Sequence, residues 1–165
     1  MKTAKVLKVV TDASVVRVDG KYKGRAGIMV LDGENKLRHF ESRHIGNVTS
    51  NEGEYWSLLE GVKQVTSTLK IAEVDTKKIM LEMYTDSSLV YNQLMGNFKT
   101  KKAAFTKMQN DIKAECKGFK GAKIVWHKRD LDMAVLADFG SKHPRRTKSI
   151  FKQFKDKDFS EAVGK

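Results

Sequence analysis

The stretch KIMLEMYTDSSLVYNQLMG, residues 78–96, decides how the chain folds. Its first half, Lys78 to Thr85, is the most apolar strand-forming run of the chain, and it passes directly into a short helix over Ser87 to Met95. Asp86 stands at that junction, ahead of Ser87 and Ser88, where a carboxylate either caps the helix or projects toward a ligand. A strand that runs straight into a helix is half of a strand-helix-strand unit, so part of the sheet is expected to be parallel.

Upstream, residues 5–45 read as strands, because KVLKVV, RAGIMVL and KLRHFESRHI are separated by the turn signals DGKYKG and DGEN. Links that short imply antiparallel hairpins. Asn51 to Leu69 carries Tyr55, Leu58, Leu59, Val62, Val65 and Leu69 at helical spacing, with Glu54 on the flank of the stripe. Downstream, a helix near Lys101 to Lys117 places Phe105, Met108, Ile112, Cys116 and Phe119 on one face; a strand, Ala122 to His127, follows, and a short helix over Met133 to Ser141 ends before Pro144. The order βββαβααβα predicts an α/β domain over residues 1–142 with a mixed sheet. Residues 143–165 form a basic tail whose Ile150, Phe151 and Phe154 are expected to dock on that domain.

A formal net charge of +12 makes a polyanion, nucleic acid first, the simplest partner. Cys116 is the only cysteine, which excludes an internal disulfide and a cysteine-cluster zinc site, and its place on an apolar stripe reads as packing rather than nucleophilic chemistry. MKTAKVLKVV lacks the apolar core of a secretion signal, and no stretch reaches the length of a membrane span. A cytoplasmic monomer without a membrane partner is expected.

Four carboxylates flank apolar or turn-forming stretches: Asp12 in VVTDAS, Glu54 in TSNEGEYWSLLEGV, Asp86, and Asp138 in VLADFGSK. Each has a local structural reading. Asp12, where a strand gives way to Ala13 and Ser14 at the sheet rim, suits an Asx turn. Glu54, three residues after Asn51, suits a capping box, and Asp86 a helix cap. Asp138 lies among apolar residues, where a lone carboxylate is costly unless it meets a cation. Carboxylates so far apart in sequence converge only after folding and then repel without a cation between them, so together they point to a Mg²⁺ enzyme acting on a phosphodiester.

The motifs Asp-Ala-Ser, Ala-Gly-Ile-Met-Val-Leu, Thr-Ser-Asn-Glu-Gly-Glu-Tyr-Trp and Thr-Asp-Ser-Ser-Leu-Val-Tyr-Asn-Gln-Leu-Met-Gly resemble type 1 ribonuclease H, over residues 6–142. The resemblance implies a ribonuclease H-like mixed five-stranded sheet flanked by helices. It also implies that Asp12, Glu54, Asp86 and Asp138 bind two Mg²⁺ ions, with Mn²⁺ as a substitute. The implied reaction is hydrolysis of the RNA strand of RNA/DNA hybrids, leaving 5′-phosphate and 3′-hydroxyl ends. Asn51 matches the minor-groove reader; Ser50 stands where many members carry a second Asn, and Ser88 where many carry Gln. Ala134 replaces an Asn common before the last Asp, so Asp132 competes with Asp138 as a ligand. Arg129 stands in for a mobile His, whereas His127 falls in the strand. The Trp-rich basic insertion of some members is missing, leaving the lysines between Lys99 and Lys128 and the tail to meet phosphates. Two other readings are another nuclease on this architecture acting on DNA and a catalytically silent nucleic-acid-binding module.

Overall fold

The chain folds as a mixed five-stranded sheet flanked by helices, and the computed structural model describes residues 5–34 and 37–127. In chain order the elements are β1 (Lys5–Val18), β2 (Lys21–Asp32), β3 (Leu37–Gly46), α1 (Ser50–Ile71), β4 (Ile79–Thr85), α2 (Ser88–Leu94), α3 (Ala103–Cys116) and β5 (Gly121–Trp126). The strand order across the sheet is β3-β2-β1-β4-β5. The β1–β2 and β2–β3 pairs are antiparallel, as their short links require; β1–β4 and β4–β5 are parallel, as the intervening helices require. The expected helix over Met133 to Ser141 and the tail beyond residue 142 lie outside the described residues.

Side-chain alternation divides the core into two layers. Leu7, Val9, Ile28, Val30, Leu81 and Met83 pack with the stripes of α1 and α3, while Val10, Met29, Leu31 and Phe40 form a smaller cluster on the opposite face. The helical stripes are as the sequence implied: Tyr55, Leu58, Val62, Val65, Leu69, Phe105, Ile112 and Phe119 are buried. Gly61 lets α1 lie unusually close to β1, since a β-carbon there would stand 2.8 Å from Thr11 Cγ2 and 3.0 Å from Val9 Cγ2. The middle of the helix is thereby set over Val9 and Thr11. Its first turn falls over Ala13 and Val15, which a β-carbon at Gly53 would touch. Arg43 ties β3 to α1 through Glu60 at 2.6 Å, and Glu41 of its own strand also pairs with it at 2.6 Å.

Cys116 is part of this packing. Burial first, and then the neighbouring Glu115 carboxylate, push its thiol up to about 11. Since the thiolate is the reactive form and its fraction grows only as pH rises toward that value, iodoacetamide near pH 8 is expected to alkylate Cys116 roughly a hundredfold more slowly than an exposed thiol. Mass spectrometry of the timed reaction measures this; alkylation at the rate of free cysteine would contradict the packing.

Candidate active site

The parallel register explains how residues 74 positions apart in the chain meet. The last paired residues of β1 and β4 are Val10 and Tyr84, and Asp12 and Asp86 lie two residues beyond them on their respective segments. They therefore sit at the same height, past the carboxyl end of β4, where open α/β sheets place their ligands. Glu54, in the first turns of α1, completes the group: carboxylate oxygens of Asp12, Glu54 and Asp86 lie within 4.8 Å of one another. Asp12 is only 2% exposed, and the other two are half-buried.

None of the local structural readings of these three carboxylates survives. Asp12 is not at a strand end or in an Asx turn, because β1 continues to Val18 and Asp12 pairs with Gly27 in mid-strand. The capping box of α1 is made by Thr49 and Glu52, not by Asn51 and Glu54. Thr49 accepts from the Glu52 backbone N–H at 3.3 Å, and Glu52 accepts from the Thr49 hydroxyl at 2.8 Å. Similarly, Ser87 rather than Asp86 caps α2, accepting from the Val90 N–H at 3.2 Å. The caps of α1 and α2 are thus made by other residues, and Asp12 lies within its strand.

The surroundings hold the carboxylates in place. Tyr55, next to Glu54, is fully buried; its hydroxyl donates to Gln93 of α2 and accepts from Gln109 of α3 at 2.9 Å, and Gln109 also donates to Thr100 at 2.7 Å. Burial raises the Tyr55 pKa against the opposing Gln109 bond, so the phenol stays a neutral donor. Three helices are locked together beneath Glu54. Beside Asp86, the Trp126 indole N–H donates to the Asp86 carbonyl at 3.2 Å, and the His127 N–H donates to the Thr85 carbonyl at 3.0 Å. Trp126 is not among the residues expected from sequence; its place at the end of the strand beside β4 is the signal that marks it. His127, expected within the last strand, lies just past β5 and is buried.

Among the expected substrate-binding residues, Ser50 and Asn51 are exposed on the first turn of α1, one helical turn before Glu54 and on its side of the helix. Ser88 is exposed at the start of α2, where its hydroxyl accepts from the Asn92 side chain at 3.1 Å. Asp138, Asp132 and Arg129 lie outside the described residues. No described helix is long and apolar enough to cross a membrane. The donor set, three carboxylates with hard oxygen atoms, fits Mg²⁺ or Mn²⁺ and not a soft-metal site.

Similar folds occur in proteins of low sequence identity. Ribonuclease H1 of Halobacterium salinarum matches with a TM-score of 0.63 at 19% identity, covering 75% of this chain and 86% of that one. LC11 ribonuclease H1, solved in complex with an RNA/DNA hybrid, matches at 0.62 and 18% over 75% and 86% of the two chains. The N-terminal ribonuclease H domain of a Mycobacterium tuberculosis protein matches at 0.58 and 23% over 74% and 88%. No curated protein matches in sequence. The family model described as reverse transcriptase-like matches residues 11–135, a span that takes in all three converging carboxylates. The chain therefore belongs to the reverse transcriptase-like family of the ribonuclease H-like superfamily.

Proposed function

We propose that the protein is an endoribonuclease that hydrolyses the RNA strand of RNA/DNA hybrids with two divalent metal ions, leaving 5′-phosphate and 3′-hydroxyl ends. The observation that carries this reading is the approach of Asp12, Glu54 and Asp86 to within 4.8 Å on a ribonuclease H-like fold. The hybrid bound by LC11 ribonuclease H1 supports the substrate class. In this reading Asp12, Glu54, Asp86 and Asp138 are the ligands. When bound, Mg²⁺ or Mn²⁺ supplies an activated water and Lewis-acid stabilisation of the developing phosphorane charge.

The chain's own residues do the rest. The buried Tyr55–Gln109 bond and the Trp126 bond to the Asp86 main chain hold the carboxylates still, so little reorganisation accompanies charge development. Asn51, Ser50 and Ser88 address the minor groove, where the 2′-hydroxyls distinguish RNA from DNA. Arg129 assists product departure.

Cleavage of hybrid, duplex RNA, duplex DNA and single-stranded RNA with each divalent ion tests the proposal. Only the hybrid is expected to be cut, in its RNA strand, in Mg²⁺ or Mn²⁺ and not in EDTA. Preferential cutting of duplex DNA would replace the proposal with a DNA nuclease, and binding without cleavage would replace it with a silent module. Asp138→Asn is expected to stop cleavage and Asp132→Asn to spare it; the reverse would move the fourth ligand to Asp132.

A further inference from the structure

The β1–β2 hairpin outgrows the sheet. On one side β1 loses its neighbour β4 after Val10, and on the other β2 pairs with β3 only from Gly24 onward. Val16 to Lys23 therefore extend past the sheet as an exposed two-stranded ribbon, closed by Asp19 and Gly20 with φ of 52° and 77° and tied at Tyr22, whose N–H donates to Asn47. Positive φ at both turn residues gives the tight two-residue link that matches the twist of antiparallel strands, and glycine meets that demand without strain at the second. The projecting ribbon is a regular structure, so its faces can be read.

Residues directly opposite each other share a face, and successive residues alternate. The register pairs Asp12 with Gly27, Ser14 with Arg25, Val16 with Lys23 and Val18 with Lys21, with no shift between them. The face that carries Asp12 thus carries one cation in each of the next three pairs, spaced about 7 Å apart along the strand. Lys21 and Lys23 are exposed and Arg25 is half-buried, and no described carboxylate pairs with any of them. The ribbon's one acidic residue, Asp19, lies in its turn. Val16 and Val18, 54% and 41% exposed, stand across from Lys23 and Lys21 and give the ladder a stiff β-branched base. The opposite face differs: there Arg17 lies over the Tyr22 ring, 5.9 Å from its centroid.

Three cations in a row that no described carboxylate meets, leading away from an anionic centre, match a partner with repeating negative charge. Building on the proposed hybrid nuclease activity, we infer that this face of the ribbon binds the sugar-phosphate backbone of the duplex. Lys21, Lys23 and Arg25 each meet a phosphate on the stretch leading out from the Asp12–Glu54–Asp86 centre. Contacts of this kind carry no sequence preference and hold the duplex in register with the carboxylates. They also supply positive charge in a chain that lacks the Trp-rich basic insertion.

The test compares wild type with Lys21→Gln/Lys23→Gln/Arg25→Gln, using fluorescence anisotropy of a labelled RNA/DNA hybrid in Ca²⁺ as salt rises from about 50 to about 200 mM. Three lost phosphate contacts should flatten the slope of log affinity against log salt by about 2.7, so that the wild type loses roughly 40-fold more affinity than the variant across that range. Arg17→Gln, on the other face, should leave the slope unchanged. Should the triple variant misfold by circular dichroism, Lys21→Gln and Lys23→Gln singly are each expected to lower the slope by about 0.9. A wild type that cleaves hybrid while the variants keep its slope would overturn the ribbon assignment and leave the nuclease standing. Flattened slopes in a protein that cleaves nothing would leave the ribbon as a nucleic-acid surface and remove the nuclease.

Discussion

Asp12→Asn is expected to lower kcat for hybrid cleavage by about a thousandfold or more, with hybrid affinity in Ca²⁺ little changed. Asn keeps the shape and one oxygen but removes the charge at the most buried of the three carboxylates. A divalent ion stabilises the transition state by several kcal/mol, and losing about 4 kcal/mol of that is a thousandfold in rate. Calorimetric titration should show the corresponding loss of Mg²⁺ or Mn²⁺ affinity, and the rise in melting temperature that metal confers on the wild type should shrink with it. The substitution should also leave the metal-free melting temperature no lower than wild type, because it dilutes the mutual repulsion of carboxylates crowded within 4.8 Å. Near-normal cleavage by Asp12→Asn would remove the carboxylate cluster from the chemistry. A collapse in stability would instead make Asp12 a structural residue of β1.

Gly61→Val is expected to cost about 3 kcal/mol. A β-carbon at that position already meets Thr11 Cγ2 at 2.8 Å and Val9 Cγ2 at 3.0 Å, and both of these are β-branched side chains on a central strand that cannot swing aside. Gly61→Ala should cost less, since about 1 kcal/mol of improved helix propensity offsets part of the crowding. For a chain of this size the valine variant should melt roughly 6–12 °C below wild type. Gly33→Ala is the control, because among the described residues beyond its chain neighbours nothing lies nearer than 3.8 Å to its new methyl group. The crowding also bears on catalysis. Lifting α1 off β1 separates Glu54 from Asp12, so Gly61→Val should lose activity even at temperatures where it remains folded. A wild-type melting temperature would mean that α1 does not lie this close to the sheet.

The element order was legible because the stripes of α1 and α3 and the apolar run of β4 follow the helical and strand periods closely. The convergence of Asp12, Glu54 and Asp86 was legible only as a set, since each residue taken singly had an adequate local explanation. Two of those explanations failed for tertiary reasons. Asp disfavours strands, so DAS read as a turn, yet pairing with β2 from Leu7 through Val18 carries the strand past it. Thr49 and Glu52 fit the capping pattern as well as Asn51 and Glu54 do. Val48, buried where it would touch any side chain at Gly24, pins the chain so that the helix begins at Ser50.

The cation ladder was hidden for a similar reason. Lys21, Lys23 and Arg25 alternate along the sequence, but only the β1–β2 register puts them on the face of Asp12. Before that register is known they are three more charges in a chain whose net charge is +12. Trp126 was equally unremarkable until β5 was aligned with β4, which sets its indole over the main chain of Asp86.

The ladder of hydrogen bonds between β1 and β4 works as a ruler. Because Asp12 and Asp86 are measured off from the same last rung, their separation is written in backbone bonds in the middle of the sheet and owes nothing to any loop. Residues could be inserted or lost in the connections between β1 and β4 without moving either carboxylate. One residue gained or lost within β1, between Leu7 and Asp12, would turn Asp12 to the other side of the sheet and dismantle the centre at a stroke.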